Sequence, residues 1–219
     1  MTPDIGPADD HRSARAKLEA AGWTWLAHGD WAHVYASPDG TRAARVCAFD
    51  PGYALHVRTC LAHPEAPWFQ RIAWCSDLGP AGEIVVMERL FPADEAAAQA
   101  FCDRIQGDTP EALRPLRAIL DAAVAEGERT LGWFGGLDVR PGNVMQDAEG
   151  RLKLMDPYFV AGKDLVPAIL EDAANVARHY SKAQLQAFLE IAVFEEEEHA
   201  PGPVLVELRK RVAGLEESR

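Results

Sequence analysis

The sequence has no run of eighteen uncharged apolar residues, and its opening stretch MTPDIGPADDHRSARA contains no apolar core of the kind that directs export. A membrane span is not expected, and a cytoplasmic protein is. Cysteine is sparse: Cys47, Cys60, Cys75 and Cys102 lie far apart and form no C-x-x-C pair. That removes the usual zinc-cluster and redox-dithiol signatures and leaves reduced, mostly buried thiols. The seven histidines make neither H-x-x-x-H nor H-E-x-x-H, so a zinc hydrolase has little support. G-x-S-x-G and the phosphate-binding G-x-x-x-x-G-K-[ST] loop are both missing. Basic residues are outnumbered, 22 against 34, for a net charge of −12. A broad surface for DNA or RNA is therefore not expected, although a local basic pocket is compatible with it. There is no internal repeat, low-complexity tract or long linker.

What is present is a change of texture along the chain. Residues from about Asp9 to Ala21 suit a helix stopped by Gly22, followed by strand-like alternation through Trp23, Trp25 and Ala27. His33-Val34-Tyr35-Ala36 leads into the tight-turn signal Ser37-Pro38-Asp39-Gly40, with Thr41 to Ala48 as the returning strand. Gly52 to Ala62 is compatible with a helix. Gln70 to Cys75 and Glu83 to Glu88 read as two more strands about a Gly79–Gly82 turn. Beyond Pro92 helices dominate: Asp94 to Ile105, then a helix begun by Thr109 as cap with Pro110 in its first turn, carrying Leu113, Leu116, Leu120 and Val124 on one face. Gly135 to Asn143, with three Gly and a Pro, reads as an irregular loop. A short hairpin, Val144 to Gln146 with Leu152 to Met155, turns at Asp147-Ala148-Glu149-Gly150 and sets Asn143 before its first strand and Asp156 after its second. Pro167 to Tyr180, Lys182 to Glu197 and Pro203 to Ala213 read as helices, and the acidic run Glu195 to Glu198 as a solvated helix face.

Phosphoryl transfer from a nucleotide needs a carboxylate for the attacking hydroxyl, oxygen ligands for Mg²⁺ and cations for the developing phosphate charge. The loop and hairpin supply candidates for all three: Asp138 for the hydroxyl, Asn143 and Asp156 for the metal, and Arg140 between them for the phosphate. The text LDVRPGNVMQDAEGRLKLMDP resembles the catalytic core of the protein-kinase-like superfamily, in particular its aminoglycoside-phosphotransferase-like branch and short bacterial or phage kinase-like proteins. The resemblance lies in the five-residue step from Asp138 to Asn143 and in Asp156 opening D-P-Y where protein kinases have D-F-G. It implies Asp138 as catalytic base, Asn143 and Asp156 as metal ligands, and ATP with Mg²⁺ as cofactors.

The same resemblance implies an α+β, bilobal fold, with a small antiparallel β-sheet lobe over residues 1–90 and a mostly helical catalytic lobe over 91–219, the loop-hairpin unit being 135–158. It further implies Gly29 in a lid over the phosphates, Arg45 in place of the strand-three lysine, and Met87-Glu88-Arg89-Leu90 as the hinge that meets the base, with Ala44 and Met145 closing the pocket. Departures are plain. The lid has one glycine, Arg45 replaces Lys, the partner glutamate has only Glu65 as a candidate, between two prolines, and Gly136 stands where a His often precedes the catalytic Asp. No A-P-E element or long activation segment follows Asp156. The expected function is a kinase acting on a hydroxyl of a small molecule or a protein, without nucleic acid or membrane as partner. A pseudokinase-type module that docks a partner is the alternative, and the same ligands are also compatible with nucleotidyl transfer.

Overall fold

A computed structural model describes residues 4–195 and 202–216. The first helix, α1 (His11–Ala20), starts because Asp10 accepts from the Ser13 N–H while the Ser13 hydroxyl accepts from the Asp10 N–H, a reciprocal cap. It ends at Gly22, which takes φ +82° and turns the chain into β1 (Thr24–His28), β2 (Ala32–Ala36) and β3 (Arg42–Cys47). In the β2–β3 turn the Asp39 carboxylate accepts from the Ser37 and Thr41 hydroxyls and the Thr41 N–H, which draws its pKa down to about 2. Next, α2 (Pro51–Ala62) is capped by Asp50 with Pro51 at its first position. With β4 (Ile72–Leu78) and β5 (Gly82–Glu88) the sheet has the order β1-β2-β3-β5-β4, every pair antiparallel.

The two-residue period of a strand sorts this sheet into two faces. Ala44, Val46, Ile84 and Val86 pack with Leu18 of α1, whereas Ala43, Val85 and Met87 pack with Tyr53 and Val57 of α2. After β6 (Phe91–Pro92) the chain becomes helical: α3 (Glu95–Gln106) and α4 (Arg114–Thr130). They bury Phe101, Ile105, Leu113, Leu116 and Leu120 in a core shared with Leu55, Phe69, Val144 and Leu154. Short strands follow, β7 (Phe134–Leu137), β8 (Val144–Gln146), β9 (Leu152–Leu154) and β10 (Tyr158–Val160), and then α5 (Gly162–Val176), α6 (Lys182–Phe188), α7 (Ala192–Glu195) and α8 (Pro203–Ala213). The result is an α+β, two-part arrangement of the kind the kinase resemblance implies. Among the described residues no helix is long and apolar enough to cross a membrane.

Several local expectations need correction. Residues 135–143 are not all loop, because Phe134–Leu137 pairs with β10; the Gly135 Cα faces the Phe159 ring so closely that a Cβ would lie 2.2 Å from it. Thr109 and Pro110 do not open the helix. A 3-10 turn, Glu111–Leu113, precedes α4, and the Thr109 hydroxyl turns back to the Ile105 carbonyl. Helix α5 begins before Pro167 and kinks at Asp172, whose carboxylate accepts from the Asn175 N–H. The expected Lys182–Glu197 helix is broken into α6 and α7, and Glu196 to Glu198 lie outside the described residues. Glu195 is not on a solvated face. Its carboxylate accepts from Arg15 Nη1 at 2.6 Å and lies 3.1 Å from His11 Nε2 and 2.9 Å from His33 Nε2. Burial acts to raise its pKa, but these partners prevail and hold it well below the usual range.

Behind the sheet, His56 on α2 is fully buried and meets Gln70 Oε1 at 2.9 Å; Gln70 Nε2 donates to the Tyr53 hydroxyl, which donates to Met87 Sδ. Burial pushes the His56 pKa down to about 4. The unfolded chain therefore takes up this proton first, and the stability that neutral His56 contributes is complete above about pH 6.5 and drains away as pH falls towards 4. Replacing His56→Leu should flatten the loss of melting temperature over that window. It should also cost about 1–3 kcal/mol at neutral pH by leaving Gln70 unsatisfied, a loss that Gln70→Leu partly restores; equal pH slopes in wild type and variant would refute this account.

Candidate active site

Two cavities meet where the sheet faces the loop-hairpin unit. One, of about 410 Å³, is lined by Gly29, Val34, Ala43, Arg45, the 87–91 segment, Met145, Met155 and Asp156. The other, about 800 Å³, lies on the opposite side of Asp156 and takes in Asp138, Arg140 and Asn143. Asp156 lines both.

Asn143 organises the junction. Its side-chain nitrogen donates to the Asp138 carbonyl at 2.8 Å, to Asp138 Oδ2 at 3.0 Å and to the Asp156 carbonyl at 3.1 Å. Its own carbonyl accepts from the Met155 N–H, and the Asp138 N–H donates to the Pro157 carbonyl. These bonds hold Asp156 at φ +62°, a conformation that costs a non-glycine residue about 1 kcal/mol or more. Arg140 is exposed and its Nε donates to Asp138 Oδ2 at 2.9 Å.

Opposite, Arg45 projects from β3 on the α2 side of the sheet. Its Nη2 is bonded to Asp50, the cap of α2, and its guanidinium carbon lies 3.7 Å from the centre of the Tyr53 ring. Nη1 is buried without a hydrogen bond, the Glu83 carboxylate being 3.7 Å away. Asp50 thus stands where a partner glutamate was sought. Glu65 is exposed beside His63 and does not reach Arg45. Burial, with Asp50 beside it, raises the Asp156 pKa to about 7 against the pull of Arg45; burial likewise raises Glu83 to about 7. One guanidinium is shared among three carboxylates.

The chemistry of this donor set fits a magnesium-nucleotide. Two oxygen ligands, Asp156 and the amide oxygen of Asn143, suit an ion that keeps waters and takes phosphate oxygens for the rest. Among the described residues no group of three or more His, Cys, Asp or Glu is arranged to hold a metal alone. A divalent cation would also offset the carboxylate excess, and Arg45 Nη1, near Glu83 but without a hydrogen bond, is a donor suited to an anion.

The expected base pocket is partly revised. Gly29, Arg45, Glu88, Leu90 and Met145 all line the first cavity, but Ala44 does not: it is fully buried on the α1 side, and Ala43 takes the place expected of it, on the same face as Arg45. The Glu88 carboxylate is engaged by Arg71 and lies 3.5 Å from Lys153 Nζ, so its main chain is what remains for a ligand. A Cβ at Gly29 would meet nothing within 4 Å, so no close approach demands glycine there. Asp50, Tyr53, Glu83 and Met155 were not anticipated. The Asp-Pro start of α2 is a cap signature that could have marked Asp50, and the alternation of β5 could have put Glu83 on the Val85 face.

No family model matches the chain, and no curated protein does. Among solved structures it is similar to the PknI kinase domain of M. tuberculosis, at 20% identity and a TM-score of 0.32, over 62% of this chain and 58% of that one. It is also similar to a chain of the CAK complex of Chaetomium thermophilum bound to ATP-gamma-S, at 18% identity and a TM-score of 0.33, over 68% of this chain and 50% of that one. The chain thus spans only about half to three fifths of these neighbours.

Because the Asp156 pKa in the folded protein lies above its ordinary 3.8, the folded state holds that proton more tightly than the unfolded chain. Its contribution to stability is full below about pH 4 and is lost as pH rises through about 7. In metal-free buffer, Asp156→Asn should gain melting temperature relative to wild type between about pH 5 and about pH 8. A difference independent of pH would show that Asp156 is not under this strain.

Proposed function

We propose that the chain is an ATP- and Mg²⁺-dependent phosphotransferase acting on a hydroxyl acceptor, a small molecule or a protein. The observation that carries this reading is the Asn143 amide, which ties the Asp138 carboxylate to the Asp156 carbonyl at the seam between two cavities. In this reading residues 1–90 form the nucleotide lobe and 91–219 the catalytic lobe, with 135–158 as its working unit. The smaller cavity, about 410 Å³, falls within the roughly 300–1,000 Å³ of small-molecule sites. Ala43, Met87, Met145 and Met155 offer it an apolar slot, with the main chain of Glu88 and Leu90 for the edge of the base. Asp156 and Asn143 would hold the metal, and Arg45 would supply positive charge to the phosphates. The bound magnesium-nucleotide supplies the phosphoryl group and the cation that offsets its charge. Asp138 would orient the acceptor hydroxyl and take its proton, and Arg140, paired with Asp138, is the cation beside it for the transferring phosphate.

One observation favours the second reading, a pseudokinase-type docking module. Arg45 is already held by Asp50 and stacked on Tyr53, which limits how far its fork can follow a phosphate.

ATP at about a hundred times its dissociation constant should add about 2.7 kcal/mol of stability, or roughly 5–10 °C for a chain of this length, only with Mg²⁺ present and not in Asp156→Asn. Asp138→Ala should keep this shift and lose about 10²- to 10⁴-fold in transfer rate. Absence of any shift at millimolar ATP would remove the phosphotransferase reading, and a full shift without transfer to any member of a broad acceptor panel would favour the docking module.

A further inference from the structure

The larger cavity is more than an approach to Asp138. One wall is α7, which lends Val193 and Phe194 to the lining and is fastened to the β1–β2 turn and α1: the Val193 N–H donates to the Asp30 carbonyl at 2.9 Å, and Glu195 is gripped by Arg15, His11 and His33. An aromatic row completes the wall, with Trp31 5.7 Å from Phe188 and Phe188 5.6 Å from Phe194. The floor is built from β10 and α5, and only residues 157–161 separate Asp156 from that helix. Outside the Asp138–Asp156 unit, the charged residues lining the cavity are Asp30 and Lys163, one of each sign; Val160, Val166, Pro167, Ile191 and Val193 are among the rest.

We propose that this cavity is the acceptor site for an uncharged, largely apolar small molecule that presents one hydroxyl to Asp138. The assignment deepens the phosphotransferase reading and rests on it for the chemistry. The acceptor O–H gives its proton to Asp138, its oxygen forms the new bond to the γ-phosphorus of the nucleotide, the bond to the β,γ-bridging oxygen breaks, and a nucleoside diphosphate leaves. Its volume, about 800 Å³, lies within the roughly 300–1,000 Å³ of small-molecule sites. The lining argues against a polycation such as an aminoglycoside, since desolvated ammonium groups require paired carboxylates and Asp30 alone is additional to the catalytic set. An apolar body held by few polar groups is what such a pocket binds.

Binding of 4-phenylbutan-1-ol, of kanamycin and of a serine-containing heptapeptide to the whole chain, measured by titration calorimetry without nucleotide, tests this directly. The variants are Val193→Glu, at a side chain already 38% exposed, and Val166→Glu on α5; the Mg²⁺-ATP thermal shift of each reports whether it is folded. The alcohol should bind wild type and lose at least about tenfold in affinity, or about 1.4 kcal/mol, in a variant that keeps the wild-type nucleotide shift. Kanamycin and the peptide should not bind. Failure of the alcohol to bind, affinity unchanged in both variants, or tighter binding of kanamycin or the peptide that the same variants abolish would overturn the assignment. Because the titration omits nucleotide, such a failure leaves the phosphotransferase reading standing, whereas absence of the Mg²⁺-ATP shift removes that reading by itself.

Discussion

One side-chain nitrogen holds the centre of this molecule together. Asn143 donates to two acceptors on Asp138 and one on Asp156, and its own peptide carbonyl receives the Met155 N–H. Two ends of a hairpin and the loop before it are thereby fixed to within a hydrogen bond of each other. The left-handed conformation of Asp156 is affordable only because the surrounding bonds leave it no better choice. An aspartate, a side-chain amide and a second aspartate at one seam are a consequence of local bonding before they are a consequence of any ligand. Any chemistry performed there inherits its geometry from Asn143.

Around that centre the charges do not balance. The whole chain carries −12, and the surroundings of Arg45 repeat this locally: its buried guanidinium pairs with Asp50 and lies near Glu83, and Asp156 feels its charge as well. Elsewhere in the fold similar groups are matched. Glu195 has three partners, and Asp147 in the β8–β9 turn accepts from Arg151 with Lys153 nearby. The contrast separates Asp147 and Glu195, whose pKa values their partners lower, from Glu83 and Asp156, whose values burial raises.

How much of this was legible in the sequence follows from the range of each interaction. The hairpin at 144–154, the Asp39 turn, α2 and α8 are set by residues within a few positions of one another, and they stand close to where the pattern puts them. Pairing of Phe134–Leu137 with Tyr158–Val160 joins segments about twenty residues apart, and a stretch rich in glycine gives no period by which to see it. The slip from Ala43 to Ala44 has another cause. Strand register turns on single residues, and Ala43 to Cys47 is buried on both faces, so the alternation that would fix it is absent. Glu195 was misread because a run of like charges looks solvated, and nothing local discloses that Arg15, His11 and His33 arrive from the other end of the chain.

Only residues 157–161 lie between Asp156 and α5, and β10 within them is committed to pairing with β7. No free segment remains there to be ordered or released by a covalent signal. Beside this stretch, Trp31 of the β1–β2 turn packs against Phe49 and Phe188, and the Val193 N–H of α7 donates to the Asp30 carbonyl of the same turn. These contacts tie the turn carrying Gly29 to the helical part of the chain, and because Asp30 and Trp31 line both cavities, the two share that turn as a common wall.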